Sequence, residues 1–376
     1  MNKKSRKRIL FFIESFSGGG AERVLLTILR NLDMEKFDVT VLVMSDSGVY
    51  SKDFHSLGIN VVPVLSSNSS MLNRVKYKLL YNILSPKVAA RWLLKGIEAD
   101  TYVAFVEGYC TKILSCLRSD KRKIAWVHID LKNFPWTIEE GIYQNIKEEK
   151  GAYEMFDMSI GVSNEVSDVL KTQYGLKYVR TIYNPIDENR IIKMSREQSD
   201  IQIDKSTFNI ISVGRLSHQK GYDKLINLMP RILARNPLVK LYIVGEGEER
   251  RNLENQIKEQ HLTENVILTG FVKNPYSLMK KMDLFVCSSV AEGFSLVIAE
   301  ALTVGLPVVS MECAGPNELL GQGKYGLLCS TYDELTNTIV NISQDKKILQ
   351  ELCEKSRIRA SDFNTTNIIS TIENIL

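Results

Sequence analysis

Leu284-Phe-Val-Cys-Ser-Ser-Val-Ala-Glu-Gly-Phe-Ser-Leu-Val-Ile-Ala-Glu300 reads as a strand, a glycine-containing turn and the opening of a helix. Leu284 to Cys287 is an unbroken apolar run of strand length, and Val297, Ile298, Ala301 and Leu302 recur at helical spacing. A strand that turns directly into a helix is half of a parallel βαβ unit. The first N–H groups of such a helix have no partner within it, so the turn is a ready anion site. Two carboxylates lie eight positions apart, Glu292 in the turn and Glu300 inside the helix pattern. A carboxylate among apolar neighbours is costly to bury unless something hydrogen-bonds it, and the paired hydroxyls of a sugar are suitable donors. A helix-cap acid plus a salt-bridged helix acid would satisfy the same residues.

The same unit repeats outward in both directions. In the first half the candidate strands are Arg8–Ile13, Val39–Met44, Asn60–Val64, Tyr102–Val106, Lys123–His128, Met158–Val162 and Val179–Tyr183. In the second half they are Phe208–Val213, Val239–Val244, Val266–Thr269, Leu284–Cys287, Pro307–Ser310 and Gly326–Cys329. Helical patterns such as Ala21–Leu32, Asp223–Arg235 and Glu248–Gln260 lie between them. This alternation predicts an α/β protein with doubly wound parallel sheets. Runs such as Leu241-Tyr-Ile-Val244 are apolar on both faces, as helix-covered parallel strands should be. A polar stretch, Asp187 to Ser206, separates the halves. The expected division is therefore 1–190, an interdomain segment 191–206, a second domain 207–355, and a terminal piece 356–376. Ligands of such sheets sit at the carboxyl ends of the strands.

A second loop of that kind supplies cations. The Phe208–Val213 strand runs into Gly214, Arg215, Lys220 and Gly221 ahead of a helix. Two cations on one strand-to-helix loop suit a diphosphate, with Arg as a planar fork and Lys as a point charge. Gly18-Gly19-Gly20 follows the first strand, and glycine lets backbone approach a ligand closely or adopt positive φ. Neither it nor Val244-Gly-Glu-Gly247 completes a dinucleotide fingerprint.

Together the motifs resemble the retaining glycosyltransferases of family GT4, which have the GT-B fold. The matching pieces are Ser17-Gly-Gly-Gly-Ala-Glu-Arg23, Trp126-Val-His128, Gly161-Val-Ser-Asn164, Tyr183-Asn-Pro-Ile-Asp187, Gly214-Arg215 with Lys220-Gly221, Val244-Gly-Glu-Gly247, Glu292 with Glu300, and Gly315-Pro-Asn-Glu318. They occur in the family's order over nearly the whole chain. The resemblance implies two Rossmann-like domains facing each other across a cleft, the first for acceptor and the second for a nucleotide-sugar. It implies that the segment from about 356 crosses back to the first domain. It places Arg215 and Lys220 on the nucleotide diphosphate, Gly18 and Gly19 over the donor phosphate, and Glu292 beside the donor sugar. Phe294, Ser295 and Leu296 would offer backbone N–H groups to phosphate, and Glu300 would take the ribose hydroxyls. The uracil of a UDP-linked donor would stack near Phe271-Val272. His128 ends a strand, where a histidine is often structural; the family places one here against the donor sugar. Asp130 would orient a partner or cap its loop.

The resemblance also implies retaining transfer of a hexose or N-acetylhexosamine to a lipid-linked or glycan acceptor, in surface polysaccharide or glycan biosynthesis. The acceptor would attack from the face that the nucleotide leaves. There is no Asp-x-Asp pair and no His/Cys cluster at ligand spacing, so no metal or other cofactor is expected; Arg, Lys and a helix dipole would take the cation's place. A catalytically silent partner of another transferase is the alternative, though such a chain should have lost Glu292, Arg215 or Lys220.

Composition bounds the rest. The 376 residues allow two domains with proper cores, and 44% hydrophobic with 24% charged content is ordinary for a soluble globular protein. Six cysteines without a Cys-x-x-Cys pair read as small core residues in a reducing compartment. The apolar run Ile9 to Ile13 stops at Glu14, too short for a signal or a membrane span, so a cytoplasmic protein is expected. Residues 1–100 hold 15 Lys/Arg and 9 Asp/Glu, whereas the remainder holds 33 and 35. Much of the excess lies in Arg74, Lys76, Lys78, Lys87, Arg91 and Lys95, interleaved with leucines and aromatics such as Tyr77 and Trp92. That pattern suits peripheral contact with an anionic membrane, at the inner face of the cell membrane. Two amphipathic helices with a solvated basic face, broken at Ser85-Pro86, would account for it as well. No recognition module accompanies the charge, so nucleic acid is not an expected partner.

Overall fold

The computed structural model describes residues 6–17, 19–65, 71–363 and 365–376, and for Asn82 the backbone only. All thirteen expected strands form: β1 Lys7–Ser15, β2 Phe37–Ser45, β3 Asn60–Leu65, β4 Thr101–Ala104, β5 Arg122–Val127, β6 Met158–Gly161, β7 Val179–Thr181, β8 Phe208–Val213, β9 Val239–Val244, β10 Val266–Gly270, β11 Leu284–Cys287, β12 Val308–Met311 and β13 Leu327–Cys329. They make two parallel sheets, ordered β3-β2-β1-β4-β5-β6-β7 and β10-β9-β8-β11-β12-β13. Each order reverses once, between β1 and β4 and between β8 and β11, which is the doubly wound arrangement. The loops leaving β1, β4, β8 and β11 therefore diverge at the carboxyl edge and leave crevices there, one per sheet.

The chain divides into two compact units, Met1–Pro185 with Thr366–Leu376, and Ile186–Thr365. The stretch 191–206, expected to lie between domains, falls inside the second unit. The reason is local: Asp187 caps the helix Glu188–Ser195, and Ile191 is buried. The terminal piece is two helices, Lys346–Ala360 with the second unit and Thr365–Ile375 with the first. In the first unit Ile369, Ile372 and Ile375 are buried on one helical face. Glu373 accepts from the Asp33 amide at 3.0 Å and pairs with Lys36 at 2.9 Å.

β1 is longer than its apolar run suggests. It continues through Glu14 to Ser15, pairing with β2 along its length. In the second unit Ile210, Leu241, Ile243, Leu284, Val286 and Val309 from the sheet pack with Leu225, Ile226, Met229, Ile339 and Val340 from the helices. Such two-sided burial is why these strands read as continuous apolar runs. All six cysteines are free.

Candidate functional site

The second unit brings the β8 and β11 loops together. Val290 N–H donates to the Gln219 carbonyl at 2.9 Å, Gln219 Nε2 to the Ala291 carbonyl at 2.7 Å, and Ser288 Oγ to the Lys220 carbonyl at 2.8 Å. Gly221 makes this fit possible. Its φ is +63°, and a Cβ there would lie 2.4 Å from the Ser288 carbonyl oxygen. Gly214 leaves room on the other side, because a Cβ there would meet Tyr222 Oη at 2.8 Å and Lys220 Cε at 3.2 Å. Gly245 and Gly247 of the third glycine motif lie against this loop, since Cβ atoms on them would strike the Gly214 and Leu216 carbonyls.

Lys220 and Glu292 meet at the junction. Lys220 Nζ lies 2.5 Å from Glu292 Oε1, with side chains 19% and 10% exposed. Ser289 Oγ donates to the same carboxylate oxygen at 2.8 Å. Burial works against the ammonium, but the charge and hydrogen bond of Glu292 outweigh it and raise the Lys220 pKa. Lys220 is therefore fully charged near neutrality. Burial pushes the Cys287 and Cys313 thiols up, so the pair has neutral sulfur neighbours.

Arg215 behaves differently. Its side chain is 69% exposed and forks onto Glu248 at 3.0 and 3.2 Å. The two expected diphosphate cations are thus one largely buried and one open. Glu248 is a partner the sequence reading missed.

Ser295 caps the helix Leu296–Thr303 in a left-handed conformation, φ 58° and ψ 76°. A non-glycine residue there costs about 1–2 kcal/mol. Its hydroxyl is buried and has no hydrogen-bond partner. Phe294 is buried, packs edge-to-face on Phe363 at 5.9 Å, and its backbone lies so close to Gly315 that no Cβ fits on that glycine. The helix buries more of its surface than the expected face: Ala299 and Glu300 are inside with Ile298, Ala301 and Leu302, while Val297 is only partly covered. Glu300 accepts from Tyr276 Oη at 3.1 Å. Phe271 is exposed on the loop after β10, with Val272 half-buried beside it.

The first unit holds the other candidates. His128 follows β5; its Nε2 donates to the Phe105 carbonyl at 2.8 Å, and burial lowers its pKa to about 4. The ring is neutral near pH 7, with Nδ1 left as an acceptor. Its backbone N–H donates to Glu107 Oε2 at 3.0 Å. Glu107 follows β4, and burial raises its pKa. Glu14, at the end of β1, is pushed up to about 7 by burial and then by Glu107. Neither acid was singled out in the sequence; an acid closing a buried strand was the available signal. Asp130 caps its own loop, accepting from the Lys132 and Asn133 amides. Gly19 has an ordinary φ of −73° as the cap of the helix Gly20–Asn31, not the positive φ that its motif allowed. Gly18 lies outside the described residues.

Two families match consecutive stretches of the chain: Glycosyltransferase Family 4 over residues 18–190 and Glycosyl transferases group 1 over residues 194–359. The chain belongs to the GT4-type glycosyltransferases. This glycosyltransferase is 30% identical over 279 residues to an uncharacterized glycosyltransferase of Methanocaldococcus jannaschii, covering 68% of this chain and 65% of that one. It is 29% identical over 381 residues to the N-acetylgalactosamine-N,N'-diacetylbacillosaminyl-diphospho-undecaprenol 4-alpha-N-acetylgalactosaminyltransferase of Campylobacter jejuni, covering 96% and 97%. Its fold matches that of Anabaena HepE, solved in complex with UDP and glucose, with a TM-score of 0.78 at 22% identity over 98% of this chain and 99% of that one. The doubly wound sheets are those of a GT-B protein.

Proposed function

We propose that this glycosyltransferase moves a hexose or N-acetylhexosamine from a UDP-linked donor to a lipid-linked or glycan acceptor, with retention and without a divalent cation. The observation that carries the reading is the buried Lys220–Glu292 pair at the switch point of the second sheet. A fixed, water-poor cation at the carboxyl edge is suited to charge that develops on a leaving diphosphate. Arg215 adds a second cation, and exchanging Glu248 for phosphate oxygens costs little because exposed ion pairs contribute about 0–1 kcal/mol. The unpartnered Ser295 hydroxyl and the first-turn amides beside it are further donors for phosphate. Glu292 accepts from donor-sugar hydroxyls. His128, neutral and held through Nε2, accepts a hydroxyl at Nδ1 and is no general acid at pH 7. The acceptor proton passes to the departing phosphate. The UDP and glucose of HepE support the donor, and the diphospho-undecaprenol acceptor of the Campylobacter enzyme supports the acceptor.

The test is nucleotide release from a panel of nucleotide-sugars, with EDTA and without added metal, using Glu292→Gln as control. Release from UDP-sugars that EDTA leaves intact and the variant abolishes is the expected result. Release only on addition of a divalent ion would end the metal-free reading. Equal release by the variant would remove Glu292 from the reaction.

A further inference from the structure

We infer that residues 71–95 form a docking surface for an anionic lipid bilayer. The segment is a helix Met71–Lys78, a π-helical turn Leu79–Ile83 and a helix Pro86–Leu93 that starts on Pro86. The first helix buries no residue at all. Met71 and Leu72 are 82% and 75% exposed, and Val75, Tyr77, Ile83, Val88 and Trp92 are exposed as well. Single exposed apolar residues need no explanation, but this many in one contiguous segment mark an interaction site.

The element is nonetheless held firmly. Leu80, Ala89, Ala90, Leu93 and Leu94 are buried. Tyr77, Tyr81 and Tyr109 stack in a ladder with centroid spacings of 4.4 and 4.1 Å, and Tyr109 Oη donates to the Leu80 carbonyl at 3.0 Å. The exposed side chains are therefore carried on a fixed platform within the first unit.

Charge selects the occupant. Arg74, Lys76, Lys78, Lys87, Arg91 and Lys95 are all exposed among those apolar residues. Between Asp53 and Glu98 there is no acidic residue. A second copy of this chain docking face to face would bring two such cation sets together. A bilayer with anionic headgroups neutralises the cations and takes the Met, Leu and Trp side chains into its acyl boundary, while Lys and Arg stems reach back to the headgroups. No helix among the described residues is long and apolar enough to cross a membrane, so the contact is with one leaflet. The inference deepens the proposed function, because it provides the surface on which a lipid-linked acceptor is met.

The test is co-sedimentation of the full chain with vesicles of phosphatidylglycerol and phosphatidylcholine in equal parts, and of phosphatidylcholine alone, alongside sedimentation velocity without lipid. Arg74→Ser/Lys76→Ser/Lys78→Ser should weaken binding to the anionic vesicles by roughly 100-fold, since each cation near such a surface contributes about fivefold. Met71→Ser/Leu72→Ser/Trp92→Ser should also weaken it, and raised salt should do the same to the native chain. Unchanged binding in either variant, or equal binding to both vesicle types, overturns the inference. A dimer that the apolar variant dissociates, with no vesicle binding, assigns the surface to a second copy and overturns it too. Nucleotide release from the donor in solution should be unchanged in both variants. A loss of vesicle binding with intact release therefore separates this inference from the transferase reading, and a melting curve shows that each variant folds.

Discussion

Breaking the Lys220–Glu292 pair should destabilise the second unit, and neutralising both partners should restore stability without restoring catalysis. Lys220→Met leaves Glu292 buried with Ser289 as its remaining side-chain donor; Glu292→Gln leaves the ammonium without its counter-charge. Removing one partner of a buried pair costs about 3–5 kcal/mol. The residual exposure of both side chains puts each single variant near the lower end, roughly 3 kcal/mol. For a unit of this size that is a fall of about 6–12 °C in the melting transition. Lys220→Met/Glu292→Gln places a thioether beside an amide, neither charged, and should recover most of the loss; a double variant within about 1 kcal/mol of native, set against two singles of about 3, gives a coupling of roughly 5 kcal/mol in the double-mutant cycle. Turnover should not follow. On the proposed mechanism, loss of the Lys220 charge or of the Glu292 contact with the donor sugar should hold nucleotide release at least about 100-fold below the native rate in all three proteins. Calorimetry of the four proteins and a release assay at one UDP-sugar concentration read both quantities. Additive melting losses would show that the pair contributes no coupling, and native turnover in the double variant would make it structural only.

Five further variants test each unit by itself. Ser295→Gly should raise stability by about 1 kcal/mol by relieving the left-handed conformation. Ser295→Ala should leave stability nearly unchanged yet weaken UDP binding in calorimetric titration; unaltered binding would remove the hydroxyl from the donor site. Gly221→Ala should cost more than the roughly 1–2 kcal/mol of its φ alone, because the new Cβ collides with the Ser288 carbonyl; a melting point within 1 °C of native, about 0.3–0.5 kcal/mol on this scale, would contradict that. Glu14 and His128 should give opposing pH slopes. Glu14 is raised from 4.5 to about 7, so between those values the unfolded chain ionises first and stability falls with rising pH by roughly 3 kcal/mol. His128 is lowered from 6.5 to about 4, so stability rises with pH across that window by a similar amount, roughly 3 kcal/mol. Glu14→Gln should therefore expose a rising profile of melting point from pH 4 to 6.5, and His128→Gln a falling one from 4.5 to 7. A flat profile in both variants would refute the two burial effects.

The fold was legible because parallel strands buried on both faces leave continuous apolar runs, and each of the thirteen runs became a strand. Boundaries were legible only where the chain changes character. Glu14 looked like a stop, yet β1 carries it because its carboxyl can stay protonated in a buried setting. The stretch after Asp187 looked like a linker because it is polar, yet it opens with a helix, Glu188–Ser195, that Asp187 caps and that buries Ile191. In the site, Glu292 and Lys220 were visible as charges at strand-to-helix turns, and Glu300 as an acid inside a helix. Their partners were not. Lys220 and Glu292 lie 72 positions apart, and Arg215 and Glu248 lie 33 apart, so their pairing depends on strand order. The left-handed backbone of Ser295 was hidden as well, because serine gives no local signal for positive φ.

Strand order also explains why the site carries its charge in two grades. β8 and β11 are neighbours whose following helices pack on opposite sides of the sheet, so their loops must part at the carboxyl edge. Glycines at 214 and 221 let the two loops close again below that parting, and the closure buries Lys220 against Glu292. A buried lysine without a counter-ion would shed its proton; Glu292 keeps it charged, but the same carboxylate cancels the field that a diphosphate would otherwise feel. Arg215, left on the surface with only an exposed partner, retains its attraction for an incoming anion. In the proposed reaction the initial capture of a donor would therefore fall to Arg215, with an ionic-strength dependence that screening dictates. Lys220 would become available to phosphate as sugar hydroxyls engage Glu292. On this argument Arg215→Gln should act mainly on KM and its salt dependence, and neutralisation of Lys220 mainly on kcat. The reverse assignment would mean that the buried pair opens before the donor arrives.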